Sequence, residues 1–561
     1  MNIATNSDKP WYSAKVLILK ATALKQHTSK QQPGIEHTKG PGKATAWMLF
    51  LLLMLGFDTV KHGQEKTRLK FKAEHLESDV IDDEPCKKLL DNVVLDLETF
   101  TILADVAIYY DKRKLIEAQG NVKLIHEDGS TIVADRLIYE EAAHLAKLRG
   151  HVVYRSGAVT FYTDHFDYDT ATKQGNFVQG GKLVEGDNVL VSRAGHYNDI
   201  DKTATFEQQV ELANQDYTVQ CDTLRYDTIT KIARFEGPTK ITSKDGKQLL
   251  TTDDGGEYNT KNQQSTFVQS KVETEAYTLY GDLLRADEAD EVYTATGHVK
   301  LVSKAEDVII SGDYAQYKKK QGVAKVYGNT LMTKLLEKDA LYLSADTFVA
   351  TEDKTTTNNT VVRAHHNVKV YQKDLQGKAD SLVYKEADDT LYLYGDPTFW
   401  SSGSQLSGDV AHVLLKDKAL DTMHMNTKAF IASEDEMGNF NQLQGRDMIA
   451  YFKENKIDHI EIDGNAESIY FVVDDKGTLH GMNHIRCSQM YITIEKDTIA
   501  GIDFQLKPVG AFYPPHKLEE GPQQLEHFQW RISERPTKQE VVEHGYGTCP
   551  GYKEFKINAK H

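Results

Sequence analysis

The stretch from Gly120 to Gly150 reads GNVKLIHEDGSTIVADRLIYEEAAHLAKLRG. Apolar residues such as Val122 and Leu124 recur in it at every second position, which is the period of a β-strand and not of a helix. The pair Asp128-Gly129 separates two such runs, and Asp-Gly in this setting is a typical hairpin turn. The stretch therefore predicts a β-hairpin.

The same unit recurs along the chain with the spacing Asp-x-apolar-x-Tyr, at intervals of about 30 residues. A fixed period of this kind indicates one supersecondary unit stacked many times. We expect each Asp to hydrogen-bond local backbone amides and each Tyr to pack its ring while its hydroxyl stays in water. The residues with these expected structural roles are Asp135, Tyr139, Asp164, Tyr168, Asp222, Tyr226, Asp313, Tyr317, Asp380 and Tyr384.

Motifs that would indicate an enzyme or a metal site are absent from the sequence. It contains no G-x-S-x-G, no P-loop and no paired carboxylates apart from the repeat. The alternative role for the repeated Asp residues, a ladder of metal ligands, is disfavoured because residues a full repeat apart lack the spacing of a calcium loop. We therefore predict a protein that is not an enzyme and that uses no metal and no cofactor.

Composition narrows the possible partners. The 561 residues carry 66 basic and 83 acidic side chains, a net charge of −17. This excess of acid argues against nucleic acid as a partner, because that function needs a basic face. Four cysteines occur with no C-x-x-C pair, and their disulfide state is left open. They are Cys86, Cys221, Cys487 and Cys549.

An apolar run over residues 44–57 follows Lys43 and resembles the core of a signal peptide, or else a membrane anchor. It predicts export to the periplasm or cell envelope. The expected organisation is a leader over 1–63, jelly-roll repeats over 64–250, further repeats over 251–430, terminal β-repeats over 431–515, and a weakly ordered tail over 516–561. Whether the leader is cleaved is left open.

Several units resemble the OstA-like family, the jelly-roll proteins of lipopolysaccharide transport that include LptA and the N-terminal domain of LptD. The resemblance is carried by GNVKL at 120–124, ADRLIY at 134–139, GHVKLV at 297–302, SGDYAQY at 311–317 and QGKADSLVY at 376–384. Similar segments are GMNHIRCSQMYITIEKDTIAGIDF at 481–504 and GAFYPP at 510–515. Residue patterns alone predict an all-β, elongated open stack of antiparallel hairpins. The resemblance implies a V-shaped β-jelly roll, an open sandwich whose apolar inner faces hold acyl chains.

Two functions are compatible with this fold. The first, which the resemblance implies, is a lipid-transport protein that binds lipopolysaccharide or another acylated lipid and joins other jelly-roll transport proteins by edge-strand pairing. The expected groove residues are Val122, Leu124, Val152, Val299, Leu301 and Val368. The second is a cell-surface structural or carbohydrate-binding β-solenoid with a dry core. A parallel β-helix enzyme is a third class, which the Asp-Gly hairpins at Asp128-Gly129 and Asp245-Gly246 disfavour.

Overall fold

The structure of the protein is a computed structural model. It describes residues 69–97, 100–126, 129–157, 159–172, 174–198, 200–227, 229–275, 277–304, 307–335, 339–352, 360–385, 387–416, 419–453, 456–474, 476–495 and 498–543. The predicted leader over 1–63, with its apolar run at 44–57, and Cys549 lie outside the described residues. Within the described part, no helix is both long enough and apolar enough to cross a membrane.

The chain divides into two compact units. The N-terminal unit comprises the described residues up to Glu275 together with Leu283–Asp290, and the C-terminal unit comprises 277–282 and the described residues from Glu291 onward. The strands up to residue 275 are β1 (Lys70–Lys72), β2 (His75–Ile81), β3 (Glu84–Asp96), β4 (Phe100–Tyr110), β5 (Leu115–His126), β6 (Thr131–Glu140), β7 (Leu145–Ser156), β8 (Val159–Asp169), β9 (Gln174–Phe177), β10 (Gly181–Glu185), β11 (Asn188–Ser192), β12 (Ala194–Asn198), β13 (Thr203–Ala213), β14 (Tyr217–Asp227), β15 (Ile232–Glu236), β16 (Thr239–Ser243), β17 (Gln248–Thr252), β18 (Gly255–Asn259) and β19 (Gln264–Thr274).

Strands continue through the rest of the chain. They are β20 (Tyr277–Asp287), β21 (Val292–Ser303), β22 (Val308–Lys318), β23 (Val323–Leu335), β24 (Ala340–Glu352), β25 (Thr360–Tyr371), β26 (Gln376–Lys385), β27 (Thr390–Tyr394), β28 (Thr398–Ser401), β29 (Ser404–Ser407), β30 (Val410–Lys416), β31 (Ala419–Glu434), β32 (Phe440–Lys453), β33 (Lys456–Val473), β34 (Leu479–Glu495), β35 (Thr498–Gln505) and β36 (Val509–Tyr513). The described helices follow them: the 3-10 helices η1 (Pro515–Glu520) and η2 (Ile532–Glu534), and the short α-helix α1 (Lys538–Glu543).

Successive long strands pair antiparallel, and many of these pairs contain a β-bulge. In β5 the register against β6 shifts between Gln119 and Val122. Gly120 and Asn121, which lie in this shift, both have positive φ, at 76° and 47°. A bulge of this kind bends the strand and divides it into two segments. Comparable shifts recur in both units, for example between Arg149 and Val152 in β7 and between Thr296 and Val299 in β21.

The two segments of a bent strand belong to different sheets. In β8, residues 159–163 pair with β10, whereas residues 167–169 pair with β9. In the C-terminal unit, β31 divides in the same way between β30 and β29. In each unit we call the sheet that contains β9 and β12, or β27 and β30, sheet A. The sheet that contains β10 and β11, or β28 and β29, is sheet B.

The inner faces of the two sheets form the core. In β5, Ile116 and Ala118 of the sheet A segment and Val122 and Leu124 of the sheet B segment are all buried, and Lys123 is half-buried on the outer side. Aromatic rings connect the sheets in the N-terminal unit, where the centroids of Phe161 in β8 and Phe177 in β9 lie 5.1 Å apart. The predicted fold class, an all-β jelly roll of repeated antiparallel hairpins, is confirmed.

The end of the chain differs from the expectation. The last strand ends at Tyr513, directly before Pro514-Pro515, but residues 515–543 are not a weakly ordered tail. They fold against the C-terminal unit, and Leu525 and Val541 are 5% and 0% exposed. The polar composition of this segment was misleading because its partners are distant in sequence. Thr537 and Glu540 do form a local capping box at α1, a signal that the sequence contains.

The predicted internal boundaries also do not coincide with breaks in the chain. The boundary after residue 250 falls within β17, and the boundary after residue 430 falls within β31. Repeats of one type pack only against their neighbours, so the sequence offers little that would mark a boundary between them.

Candidate functional site

The six residues predicted to face a groove all lie on the inner face of sheet B. Their exposed fractions range from 0% to 4%, whereas Lys123 and Lys300, on the opposite side of the same strands, are half-buried. The six are Val122, Leu124 and Val152 in the N-terminal unit, and Val299, Leu301 and Val368 in the C-terminal unit. Their inward orientation follows from the strand period. Their role in a groove stays a prediction.

In the C-terminal unit these residues belong to a continuous apolar surface. Leu301 is paired with Ile310, which is paired in turn with Met332 on the next strand. Cross-strand neighbours continue this row through a set of buried apolar residues as far as Leu443, with half-buried Val370 and buried Gly377 between them. The further buried members are Leu343, Phe399, Leu406 and Ile431. This surface can contact apolar groups and offers them no charge.

A carboxylate interrupts the apolar interior of the N-terminal unit. Glu185 ends β10 two residues after buried Leu183, on the same side of the strand, and is 3% exposed. Its Oε2 atom is buried with no hydrogen-bond partner among the described residues. Burial raises the pKa of this carboxyl, because the charged form loses hydration. Sequence reasoning missed Glu185, although the alternation Gly181-x-Leu183-x-Glu185 places it on the inner face.

The repeated Tyr residues occupy the sheet A segments. Tyr226, Tyr317 and Tyr384 are buried, at 2%, 6% and 1% exposure, and Tyr139 and Tyr168 are half-buried. The hydroxyl of Tyr384 donates a hydrogen bond to Asp389 over 3.1 Å, so in this repeat the hydroxyl has a protein partner and not only water. These positions are compatible with the packing role expected for the Tyr residues, which stays a prediction.

The repeated Asp residues lie at the bends, and their main contacts are not those expected. Local backbone amides were predicted as partners, but the carboxylates reach the bulge of a neighbouring strand. Asp135 Oδ2 lies 2.8 Å from Nδ1 of His151, which follows Gly150 in the bulge of β7. The backbone N–H of His151 also donates to Asp164, over 3.3 Å.

The same contact recurs at other bends. Asn329 donates to Asp313 over 2.8 Å, and Nδ1 of His366 lies 3.2 Å from Asp380. Asp222 instead accepts a hydrogen bond from Thr223 over 3.2 Å. We call the contact between a repeat Asp and a bulge residue the corner contact. Corner contacts attach consecutive strands where they bend, and all five repeat Asp residues are exposed.

Few described side chains could hold a metal ion. Glu74, His75 and Asp91 have ligand atoms within 4.8 Å of one another, but all three are exposed. Cys86, Cys221 and Cys487 are free thiols. Burial raises the pKa of the Cys221 thiol to about 12, which keeps it neutral and unreactive.

The terminal strands of the described chain expose apolar side chains. At the N-terminal end, Phe71 in β1 and Leu76 and Val80 in β2 are 44%, 55% and 62% exposed. At the other end, Val509 and Phe512 in β36 are 74% and 54% exposed. Terminal strands also offer unpaired backbone groups, which can extend a sheet by pairing with another strand.

A bent, two-sheet antiparallel jelly roll with an apolar interior defines the structural class. Comparison of the sequence with protein-family models then gives the family. Residues 66–222 match the OstA-like protein model, and residues 278–419 match the model of the LptA/(LptD N-terminal domain) LPS transport protein. Over these two segments the chain belongs to the OstA-like family of lipopolysaccharide-transport proteins, as its repeats predicted.

Other comparisons add less. No curated protein matches the chain in sequence. Among solved structures, the chain is similar to LptH from Pseudomonas aeruginosa, described as the LptA homologous periplasmic component of the conserved lipopolysaccharide transport device. The identity is 12%, the match covers 24% of this chain and 81% of LptH, and the TM-score is 0.14. A score this low does not define the fold, which follows from the strand pairing described above.

Proposed function

We propose that this protein binds lipopolysaccharide and takes part in its transport across the cell envelope, with the acyl chains held between sheets A and B. The observation that carries the proposal is the uncharged inner face of sheet B around Leu301, in a chain that belongs to a lipopolysaccharide-transport family. Transfer of each CH₂ group from water to such a surface contributes about 0.8 kcal/mol. Several acyl chains can therefore bind without a charged contact.

Entry of a lipid requires the sheets to move apart. The six inward residues are at most 4% exposed, so acyl chains have to take the place of contacts between the two sheets. Because the bulges lie at the bends, separation of the sheets at the side away from the bends would preserve the corner contacts. We infer that the corner contacts keep the two sheets attached while the interior opens.

The exposed terminal strands support a second part of the proposal. We infer that β1 and β2 at one end, and β36 at the other, pair with the edges of other jelly-roll proteins, as the family resemblance implies. Their exposed apolar residues, among them Leu76 and Val509, would be buried on such pairing. An envelope location and the absence of enzymatic activity belong to the same proposal.

Close burial of the interior also favours a second candidate, a structural β-solenoid with a dry core. The two are separated by comparing Leu301→Glu with the matched control Lys300→Glu, which changes a neighbouring side chain on the outer side. If the interior binds lipid, purified lipopolysaccharide raises the melting temperature of the wild type, and Leu301→Glu weakens this binding strongly. In either case the unpaired carboxylate in the closed interior costs about 3–5 kcal/mol, so lipid binding is measured below the melting temperature of the variant.

Lys300→Glu should change neither lipid binding nor the melt by much. Lipopolysaccharide binding that is equal in the wild type and in Leu301→Glu, measured where both proteins are folded, would leave the structural solenoid as the better account.

A further inference from the structure

The segment that follows the last strand crosses the C-terminal unit in the direction opposite to the order of the strands. We call residues 515–543 the strap. Its first helix, η1, contacts β34 and β36, and its last helix, α1, contacts β24 and β25. Between these ends it contacts residues of β32, β29 and β26 in that order. The strap therefore spans many strands that are already paired with one another.

The strap lies on the outer face of sheet B, opposite the face of Leu301. Phe430, Ile469, Phe471 and Met482 lie under it and are 0–6% exposed. All four residues of β28 are buried, which means that this strand is covered on both faces. On the outer face of sheet B in the N-terminal unit, by contrast, Tyr162 and Val191 are 41% and 43% exposed. The outer face is buried where the strap covers it.

Two buried glutamines bind the main chain of the strap in the same way. Gln442, which is 0% exposed, donates from Nε2 to the carbonyl of Gln523 over 3.1 Å and accepts at Oε1 from the N–H of Leu525 over 2.8 Å. Gln405, which is 1% exposed, donates to the carbonyl of Gln529 and accepts from the N–H of Arg531, both over 2.7 Å. Each glutamine amide thus hydrogen-bonds the carbonyl of one strap residue and the N–H of the second residue after it.

A third glutamine continues the row. Gln376 accepts from Nε of Arg535 over 2.7 Å and is 2% exposed. Cross-strand pairs connect Gln376 to Trp400, Trp400 to Gln405, Gln405 to Ala432 and Ala432 to Gln442. Buried glutamines are uncommon in an apolar surface, because a buried amide needs hydrogen-bond partners. This row of glutamine side chains can therefore hydrogen-bond both the main chain and the side chains of a peptide that lies across the strands.

Side chains of the strap provide the selective contacts. Leu525 is buried with Ile469 and Met482, and the ring of Phe528 lies 5.2 Å from that of Phe440. The Trp530 ring lies 5.4 Å from Phe440 as well. These residues anchor the strap in an apolar surface.

Arg531 anchors the strap to polar groups of the same sheet. Its guanidinium donates to both carboxylate oxygens of Asp396, over 2.8 and 2.6 Å, and to Oγ1 of Thr398 over 2.9 Å. A two-pronged contact of this kind fixes both position and orientation. Together with the apolar anchors it defines the pattern Leu-x-x-Phe-x-Trp-Arg over residues 525–531.

We propose that the outer face of sheet B in the C-terminal unit is a peptide-binding site, and that the strap is its ligand within the same chain. Gln405 and Gln442 bind the peptide main chain, and Asp396 selects an arginine that follows two aromatic residues. The site also binds a free peptide of this pattern once the strap is detached. This peptide site is separate from the inner face of sheet B, the proposed surface for acyl chains, which lies on the other side of the same sheet.

The test uses the full chain with a protease site inserted after exposed Glu520. After cleavage, we expect the fragment that begins at Gly521 to remain bound through gel filtration, or to be replaced by a fluorescent peptide of residues 521–543. In the peptide, Leu525→Ala should weaken binding at least tenfold, whereas the exposed neighbour Glu526→Ala should change it less than twofold.

Protein variants test the glutamines. Gln442→Met keeps the size of the side chain and removes its two hydrogen bonds to the strap, and should weaken binding of the labelled peptide at least tenfold. The control is Gln220→Met, at an exposed glutamine on sheet B of the N-terminal unit. Loss of the cut fragment without binding of the labelled peptide overturns the proposal. Equal binding of the Leu525→Ala and Glu526→Ala peptides also overturns it, and this comparison does not depend on how any protein variant folds.

Discussion

The bend in β7 offers a sharp test of the corner contact through Gly150→Ala. Gly150 has φ of +73°, and a Cβ added there would lie 2.3 Å from Asp135 Oδ2 and 2.9 Å from its Cγ. The left-handed backbone costs an L-residue about 1–2 kcal/mol. The overlap adds about 1–3 kcal/mol, because Asp135 can move away only by giving up His151. We therefore expect Gly150→Ala to destabilise the bend by about 2–5 kcal/mol.

Gly129 provides the matched control. Its φ is +84°, and no atom lies within 4 Å of the added Cβ, so Gly129→Ala incurs only the backbone cost of about 1–2 kcal/mol. Hydrogen exchange of the β6 and β7 amides measures the free energy of local opening for both variants. In addition, Asp135→Ala should rescue part of the loss in Gly150→Ala. Equal losses in the two glycine variants, or no rescue, would refute the corner packing described here.

Three further predictions concern charge and location. Glu185→Gln should stabilise the N-terminal unit by about 1–3 kcal/mol at pH 7. Because burial raises the pKa of Glu185, the stability of the wild type falls as the pH rises above 4.5, the ordinary pKa of a glutamate. Urea titration at several pH values should show this fall in the wild type and not in the variant. Asp135→Asn should leave lipid binding nearly unchanged while the raised pKa of His151, held up by its hydrogen bond to Asp135, returns toward 6.5 in an NMR titration. The protein isolated from cell envelopes should begin near Gln64 when its N-terminus is sequenced, or else it should stay in the membrane fraction. Recovery of the intact protein from the cytosol would contradict export.

The strands could be predicted from the sequence because the pattern that defines them involves residues close together in the chain. Alternation around Val122 and Leu124, and the Asp-Gly turn that follows, are sufficient to predict a hairpin. Repetition then predicts a stack. The direction of the six residues predicted to face a groove follows from the same period, which is why each of them lies on the inner face.

Contacts between residues that are distant in sequence could not be predicted in this way. The Gly-His pair at Gly150-His151 is visible in the sequence, but the bulge exists because β7 pairs with β6, where Asp135 lies. The strap is the stronger example, since Gln405 and Arg531 are 126 residues apart. Its polar composition resembles that of a disordered tail, and only the folded sheet supplies the glutamine row that orders it.

Photo-crosslinking in cells tests whether the interior holds acyl chains. A photoreactive amino acid at position 301 points into the interior, and the same group at position 300 points outward from the same strand. We expect a crosslink to lipopolysaccharide from position 301 and a much weaker one from position 300. A crosslink from position 300 alone, or none from position 301 in a correctly folded protein, would show that the acyl chains do not lie in the interior.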